Sequence, residues 1–159
     1  MKKILVVLGS GGHTKEMIRL VDLLGERYQY GYLVAADDQL SPQKIKLPGP
    51  VYRVIRPRWK NTSLPLAVVR TVCSAWQALL ALLRWQPQAV VSTGPGPAVP
   101  ASLLAKLLGI RVIYIETGSR VFALSSSGRI LRRFADLFFV QWPELLEAYP
   151  EALYAGRLL

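Results

Sequence analysis

The chain has 159 residues, which suits one domain and is too short for a two-domain enzyme. Hydrophobic residues make up 52% of it and its mean hydropathy is +0.27, so we expect a partner or a lipid bilayer to cover some apolar surface. The net charge of +10 favours an anionic neighbour such as phosphate, acidic lipid or nucleic acid, while the single cysteine, Cys73, excludes an internal disulfide and a cysteine-rich zinc site.

The N-terminus reads Met-Lys-Lys followed by the apolar run 4–8, which ends before Gly9. Such a short run is too brief for the hydrophobic region of a signal peptide. It predicts a buried first strand.

Short runs rich in Val and Ile alternate with helical stretches along the whole chain, without internal repeats or a domain boundary. We predict strands at residues 4–8, 30–36, 51–54, 89–92, 111–115 and 137–140, and helices at 14–25, 64–85, 98–108, 127–135 and 143–148. The alternation predicts a single α/β domain over residues 1–159, with a Rossmann-like parallel sheet and helices on both faces.

The first motif lies between the first strand and the first helix and comprises Gly9, Ser10, Gly11, Gly12, His13 and Thr14. Glycines permit a sharp turn there, and backbone N–H groups at a helix N-terminus favour a phosphate or diphosphate. A tight turn without a ligand is the alternative. His13, the only histidine, is a candidate general base, although a lone histidine is often structural.

A dinucleotide site is a further alternative for this turn. Gly9, Gly11 and Thr14 partly match G-x-G-x-x-G, and Asp37 or Asp38 follows the second strand. The third glycine is missing, and the acidic residue lies further along the chain than the usual spacing.

The second motif, residues 92–97 (STGPGP), also leaves a strand and enters a helix. Thr93, Gly94 and Gly96 are its candidate ligand contacts, because a stiff Gly/Pro loop exposes backbone amides. If the first and fourth strands are neighbours, the two motifs are adjacent. A rigid connector is the alternative.

The third motif, residues 116–120 (ETGSR), follows the fifth strand. Glu116 is a candidate base for a sugar hydroxyl, and Ser119 and Arg120 are candidate phosphate contacts. A mutual ion pair between Glu116 and Arg120 is the alternative. We expect all three motifs to share one edge of the sheet and to form a site there.

Residues 64–83 are long and apolar enough to approach membrane-spanning length, but Arg70, Thr71, Ser74 and Gln77 oppose a transmembrane helix. A helix lying in the membrane interface is the prediction, with an ordinary core helix as the alternative. The candidate membrane contacts are Arg56, Arg58, Trp59, Lys60 and Trp76. We expect no nucleic-acid partner, because no motif of that kind accompanies the charge.

Several segments together resemble a known family: residues 9–19 (GSGGHTKEMIR), 93–100 (TGPGPAVP), 114–120 (YIETGSR), 124–131 (LSSSGRIL), 135–145 (ADLFFVQWPEL) and 154–158 (YAGRL). The family is the membrane-anchoring, acceptor-side subunit of the two-subunit UDP-N-acetylglucosaminyltransferase of the dolichol pathway, with its bacterial exopolysaccharide and capsule counterparts. The resemblance implies the N-terminal half of a GT-B glycosyltransferase, inactive without a donor-binding subunit.

The resemblance also implies that residues 9–13 meet the acceptor diphosphate or the reacting sugar, with His13 or Glu116 as the base. It implies no metal and no cofactor, since the UDP-sugar is a substrate shared with the partner. Unlike the eukaryotic subunit, the chain passes from Met1 directly into its first strand, so membrane attachment is expected through residues 64–83 or through the partner.

Two hypotheses follow for a protein at the cytoplasmic face of a membrane, peripherally bound. In the first, the chain binds a polyprenyl-diphosphate-linked sugar and, with its partner, transfers a sugar to it from a UDP-sugar. In the second, it is a non-catalytic membrane adaptor that recruits and activates the partner. A dinucleotide-binding domain is a third.

Overall fold

The structure is a computed structural model that describes residues 1–57 and 61–158. It contains a parallel sheet in the order β3-β2-β1-β4-β5-β6-β7. The strands are β1 (Lys3–Val7), β2 (Gln29–Ala35), β3 (Val51–Val54), β4 (Ala89–Ser92), β5 (Arg111–Ile115), β6 (Leu137–Val140) and β7 (Leu153–Tyr154). The six predicted strands are confirmed to within a residue at each end, and β7 was not predicted.

Among residues 1–57 and 61–158, five α-helices connect these strands: α1 (Gly12–Leu24), α2 (Leu64–Trp85), α3 (Ala98–Leu107), α4 (Ser126–Leu131) and α5 (Leu145–Ala148). All five were predicted. The largest difference is at α4, where the predicted helix over 127–135 ends at Leu131 and continues as turns.

The helices cover the two sheet faces unequally. On one face α2 and α3 pack over Leu5, Leu33, Val90 and Val112, and α4 extends this layer over Tyr114 and Phe138. On the other face, within the described residues, α1 is the only helix that contributes to the core. The predicted helices on both faces are confirmed, and part of the α1 face remains thinly covered.

Polar side chains of α2 point toward the protein body. The Arg70 guanidinium donates from Nε to the Arg56 carbonyl at 3.0 Å, the Gln77 Oε1 accepts from the Ile55 N–H at 2.6 Å, and Ser74 is fully buried. Thr71 and Arg84 are the exceptions, because both are exposed.

The apolar side chains of α2 point outward instead. Seven of its large hydrophobic side chains are exposed: Leu64, Leu66, Val68, Val69, Val72, Trp76 and Leu83. The helix is long and apolar enough to cross a membrane by length and composition, and only 22% of its most apolar window is buried. An ordinary core helix is therefore the wrong description of its N-terminal half, whereas its C-terminal half packs through Ala78, Ala81 and Leu82.

Shortening a leucine side chain should change the free energy of unfolding differently in the two halves of α2. Leu82 is 1% exposed, so Leu82→Ala should lower the free energy of unfolding by about 2 to 5 kcal/mol. Leu66 is 50% exposed, so Leu66→Ala should change it by less than about 0.5 kcal/mol. Urea denaturation followed by circular dichroism measures both, and equal losses would contradict the packing described here.

Candidate functional site

The three motifs lie at one edge of the sheet. They follow β1, β4 and β5, which are consecutive in the sheet and parallel, so their loops emerge side by side. A Cβ built on Gly9 would lie 2.3 Å from the Pro95 Cβ, so the first two loops are in direct contact. The predicted convergence of the motifs is confirmed, and this edge is called the rim below.

The turn after β1 presents an open backbone at the rim. Ser10, Gly11 and Gly12 are exposed, and Gly11 adopts φ +69° with no heavy atom within 4 Å of a built Cβ. Gly11 is also the N-cap of α1, and no side chain in the described part of the molecule caps this helix end. The first N–H groups of α1 are thus available to an anion.

Thr14 is placed beneath this turn rather than on its surface. Its hydroxyl is buried, donates to the Gly9 carbonyl and lies 2.6 Å from the Ser41 hydroxyl. Ser41 in turn donates to the Asp38 carboxylate at 2.5 Å. The Thr14 side chain therefore shapes the turn and does not reach its outer surface.

His13 joins the first loop to the second. Its Nδ1 lies 2.9 Å from the Thr93 Oγ1, and the ring is half-buried. Burial lowers the pKa of His13 below its ordinary value, while the charge of Glu16 and the hydrogen bond to Thr93 oppose that shift. The imidazole is therefore neutral at pH 7, the state in which it accepts a proton.

The second loop depends on glycine at position 94. Gly94 has φ +89°, and a Cβ there would lie 2.6 Å from the Tyr114 hydroxyl. Its carbonyl accepts from the Ser127 hydroxyl at 2.9 Å, which ties the loop to α4. Thr93 is fully buried, while Gly96 is exposed at the rim.

Glu116 is enclosed by donors from its surroundings. Its carboxylate is fully buried; Oε1 accepts from the Thr117 N–H at 3.0 Å and the Tyr114 hydroxyl at 3.3 Å, and Oε2 accepts from the Ser125 N–H at 3.0 Å and its hydroxyl at 3.2 Å. Burial raises the pKa of Glu116, opposed by these hydrogen bonds. The carboxylate therefore holds the start of α4 against β5.

The remaining members of the third motif are more open. Ser119 and Arg120 are exposed at the rim. Among the ion pairs formed by residues 1–57 and 61–158, none joins Arg120 to Glu116, so the mutual ion pair is wrong as an alternative.

Asp37 and Arg56 form an ion pair at the rim, with Arg56 Nε 3.2 Å from Asp37 Oδ2. They line a cavity of about 470 Å³ together with Ser10, Asp38, Gln39 and Leu40. Both acidic residues of the dinucleotide alternative thus have protein partners, because Asp38 accepts from Ser41 and Leu40.

Of the candidate membrane contacts, Arg56 is mostly buried at the rim, whereas Trp76 is exposed on α2. Only 19% of the Arg56 side chain is exposed, and it lies beside the second loop, near Gly96. Trp76 is exposed on the outer face of α2. Arg58, Trp59 and Lys60 lie outside the described residues.

Two residues that sequence reasoning missed connect the rim to the rest of the protein. Glu16 is fully buried in α1 and accepts from the Gly118 N–H at 2.6 Å, and Gln141 donates to it at 2.9 Å. The sequence gave no signal for this contact, because a glutamate in a helix and a glutamine after a strand are ordinarily solvated.

The thinly covered α1 face of the sheet contains a groove of about 860 Å³. Its floor is formed by side chains of β1, β4, β5 and β6, its walls by α1 and by residues 155–158. Representative lining residues are Leu20, Leu23, Ile113, Phe139 and Leu158. The groove is mainly apolar and opens beside the C-terminal segment.

Comparison with known proteins places the chain in a protein family. Residues 4–158 match the family described as oligosaccharide biosynthesis protein Alg14 like. The chain is 39% identical to the UDP-N-acetylglucosamine transferase subunit ALG14 of Homo sapiens, over 98% of this chain and 82% of the relative. The Schizosaccharomyces pombe subunit is 34% identical over 98% and 82%, respectively. The resemblance seen in the motifs is confirmed.

Solved structures confirm the predicted fold class. The chain superposes on Acinetobacter baumannii MurG with a TM-score of 0.73 at 20% identity, covering 91% of this chain and 43% of MurG. It superposes on the UDP-GlcNAc 2-epimerase of Neisseria meningitidis with a TM-score of 0.71 at 18% identity, covering 98% and 47%. The chain thus spans less than half of these proteins and has the Rossmann-like fold of a GT-B half.

The protonation of His13 is directly measurable, because the chain has a single histidine. Burial lowers its pKa, so we expect the imidazole signals to titrate below the ordinary value of about 6.5. Nuclear magnetic resonance of histidine-labelled protein gives this value without assignment. A pKa at or above the ordinary value would contradict the environment described for His13.

Proposed function

The chain belongs to the Alg14-like family of oligosaccharide biosynthesis proteins, and we propose that it is the acceptor-side subunit of a heteromeric glycosyltransferase. With a donor-binding partner it transfers a sugar, N-acetylglucosamine or a related hexose, from a UDP-sugar to a polyprenyl-diphosphate-linked sugar. The observation that carries this proposal is the rim, where three loops from consecutive parallel strands leave an open backbone turn beside a neutral imidazole.

The acceptor diphosphate is assigned to the turn at residues 10–12. Its support is the exposed backbone at Gly11 and the uncapped start of α1, which together favour negative charge. Arg120 and Ser119, exposed on the third loop of the same rim, add donors for phosphate oxygens.

His13 is the better candidate for the general base. It lies at the rim, half-buried, and burial lowers its pKa. Both oxygens of Glu116, in contrast, already accept hydrogen bonds, one from the Thr117 N–H and the other from Ser125 at the start of α4. In an inverting transfer the imidazole accepts the proton of the attacking sugar hydroxyl. That oxygen then bonds to the anomeric carbon as the bond to UDP breaks.

The groove on the α1 face is assigned to the donor-binding partner. Support comes from its apolar lining and from the relatives' description as subunits of a UDP-N-acetylglucosamine transferase, which calls for a further polypeptide. The partner then contributes the UDP-sugar site, and this chain contributes the acceptor site.

The outer face of α2 is assigned to the membrane. A helix that turns polar residues inward and apolar residues outward is suited to a lipid environment, and the excess of basic residues favours anionic headgroups. Peripheral attachment at the cytoplasmic face places the rim within reach of a lipid-linked acceptor. A membrane adaptor without acceptor binding would use the same two surfaces and leave the rim unoccupied.

Activity tests the choice of base. In the complex with its partner, His13→Ala should lower kcat by about 100-fold or more, because a positioned base contributes about that much. Glu116→Ala should instead lower the free energy of unfolding by about 3 kcal/mol, since it leaves buried donors unpaired. A radiolabelled-sugar transfer assay and urea denaturation separate the two effects. An unchanged kcat in folded His13→Ala protein would contradict the choice of His13 as the base.

Partner binding tests the groove. Leu23 is 60% exposed at its wall, so Leu23→Glu should weaken the partner complex by about tenfold or more without unfolding the chain. Leu107→Glu is a matched control, because Leu107 is 83% exposed at the end of α3 and does not line the groove. Titration calorimetry measures both, and equal affinities would place the partner elsewhere.

Vesicle flotation tests the membrane surface. Replacing Val69 and Val72, 58% and 64% exposed on α2, by Gln should weaken binding to vesicles with anionic lipid by about tenfold or more. Val51→Gln, at an exposed position on β3, should leave binding unchanged.

Replacing Arg56, Arg58 and Lys60 by Ala should also weaken binding to these vesicles, and the loss should be larger at low salt than at high salt. Indifference of all variants would assign α2 to a protein interface.

A further inference from the structure

Glu16 makes an unusual set of contacts for a residue in a surface helix. It lies one turn after His13 in α1, and its side chain is fully buried. A single oxygen, Oε1, accepts from the Gly118 N–H at 2.6 Å, the Gln141 Nε2 at 2.9 Å and the Thr117 hydroxyl at 3.2 Å. The carboxylate thus joins α1 to the loops after β5 and β6.

Gln141 extends this contact to the C-terminal segment. Its side chain is 2% exposed; Nε2 also donates to the Glu116 carbonyl at 3.1 Å, and Oε1 accepts from the Leu158 N–H at 2.7 Å. Leu158 lines the groove on the α1 face. A chain of hydrogen bonds therefore runs from the groove to the turn of α1 that carries His13.

A second contact follows the same route. Trp142 donates from Nε1 to the Gly118 carbonyl at 2.7 Å, and the Arg157 guanidinium lies 4.4 Å from the centre of the Trp142 ring. Gly118 is therefore held on its N–H by Glu16 and on its carbonyl by Trp142. The loop after β5 is fixed from α1 and from the C-terminal side together.

The burial of Glu16 is costly for the free energy of folding. Removing a carboxylate from water costs several kcal/mol unless hydrogen bonds replace its hydration. Its second oxygen, Oε2, is buried and has no hydrogen-bond partner in the described part of the chain. The three donors around Oε1 offset part of this cost, and they come from segments far from α1 in the sequence, which indicates that the carboxylate fixes the position of α1 relative to them.

We propose that Glu16 is a positioning residue of the transferase site, which fixes the His13-bearing turn of α1 against the Thr117–Gly118 loop and, through Gln141, against the C-terminal segment beside the groove. This proposal rests on the proposed function, because its kinetic tests require that the complex transfers a sugar. Glu16 and Gln141 also link the rim to the groove. An occupant of the groove would contact Leu158, which is the far end of this chain of hydrogen bonds.

The charge of Glu16 gives a measurement that is independent of activity. Two groups act on the His13 ring, Glu16 from α1 and Thr93 from the loop after β4. Glu16→Gln removes the negative charge that raises the pKa of His13, so this pKa should fall in the full-length chain. Glu26→Gln, in the exposed turn after α1, is the matched control and should leave it unchanged. An unchanged pKa of His13 in folded Glu16→Gln protein would overturn the proposed placement of Glu16 beside the His13-bearing turn.

The positioning role predicts a specific kinetic pattern in the complex with the partner. Glu16→Leu should lower kcat about tenfold or more while the acceptor KM stays within about threefold, because displaced reacting groups slow the chemical step. Glu16→Gln, which keeps an acceptor oxygen, should retain more activity than Glu16→Leu. Gln141→Leu should resemble Glu16→Leu, and the double variant should be no slower than either single one.

The outcomes separate this inference from the function on which it rests. If the wild-type complex transfers no sugar, the proposed function fails, and the titration of His13 still decides whether Glu16 acts on the imidazole. If the wild-type complex is active and folded Glu16→Leu is equally active, the positioning role is wrong. It is also wrong if the losses of kcat in Glu16→Leu and Gln141→Leu multiply in the double variant. Should Glu16→Leu not fold, Thr117→Val removes one of the three donors and must lower kcat in the same direction.

Discussion

The close approach of backbone at the rim is the constraint on which the rest of the structure depends. The turn after β1 meets the loop after β4 where Gly9 faces Pro95, and the latter loop passes over Tyr114 where Gly94 has no Cβ. Side chains at these two positions would separate the loops. Because they pack together, His13 reaches Thr93, and an open turn, an imidazole and the ETGSR loop share one edge of a parallel sheet.

The same arrangement accounts for the apolar excess of the composition. One part lies on the outer face of α2, whose polar side chains bond to the β3–α2 connection instead of to water. Another part lies in the groove on the α1 face, because one helix covers this face whereas three helices cover the opposite face. The rim, the groove and the outer face of α2 are thus different parts of one small fold.

Much of this fold was predictable because its strands are covered on both faces. Continuous Val/Ile runs marked β1, β4 and β5, and glycine-bearing loops marked their carboxyl ends. The two-residue β7 gave no signal, since it is short and exposed. The roles of side chains were harder to predict: Glu116 proved to be a buried support for α4, Thr14 lies under the turn, and Arg56 pairs with Asp37. In the sequence Glu16 is indistinguishable from a solvated helical residue, and only its three distant donors show its role. Such contacts join residues more than a hundred positions apart, and local sequence patterns do not record them.

The central claim is that this chain binds the acceptor at the rim, and amide hydrogen exchange tests it most directly. A soluble diphosphate-linked sugar with a short lipid should be added to the complex with the partner, without the UDP-sugar. We expect slower exchange of the backbone amides of residues 9–14, with little change in α3. Unchanged exchange at these amides, in a complex that still transfers sugar to the same acceptor, would contradict it.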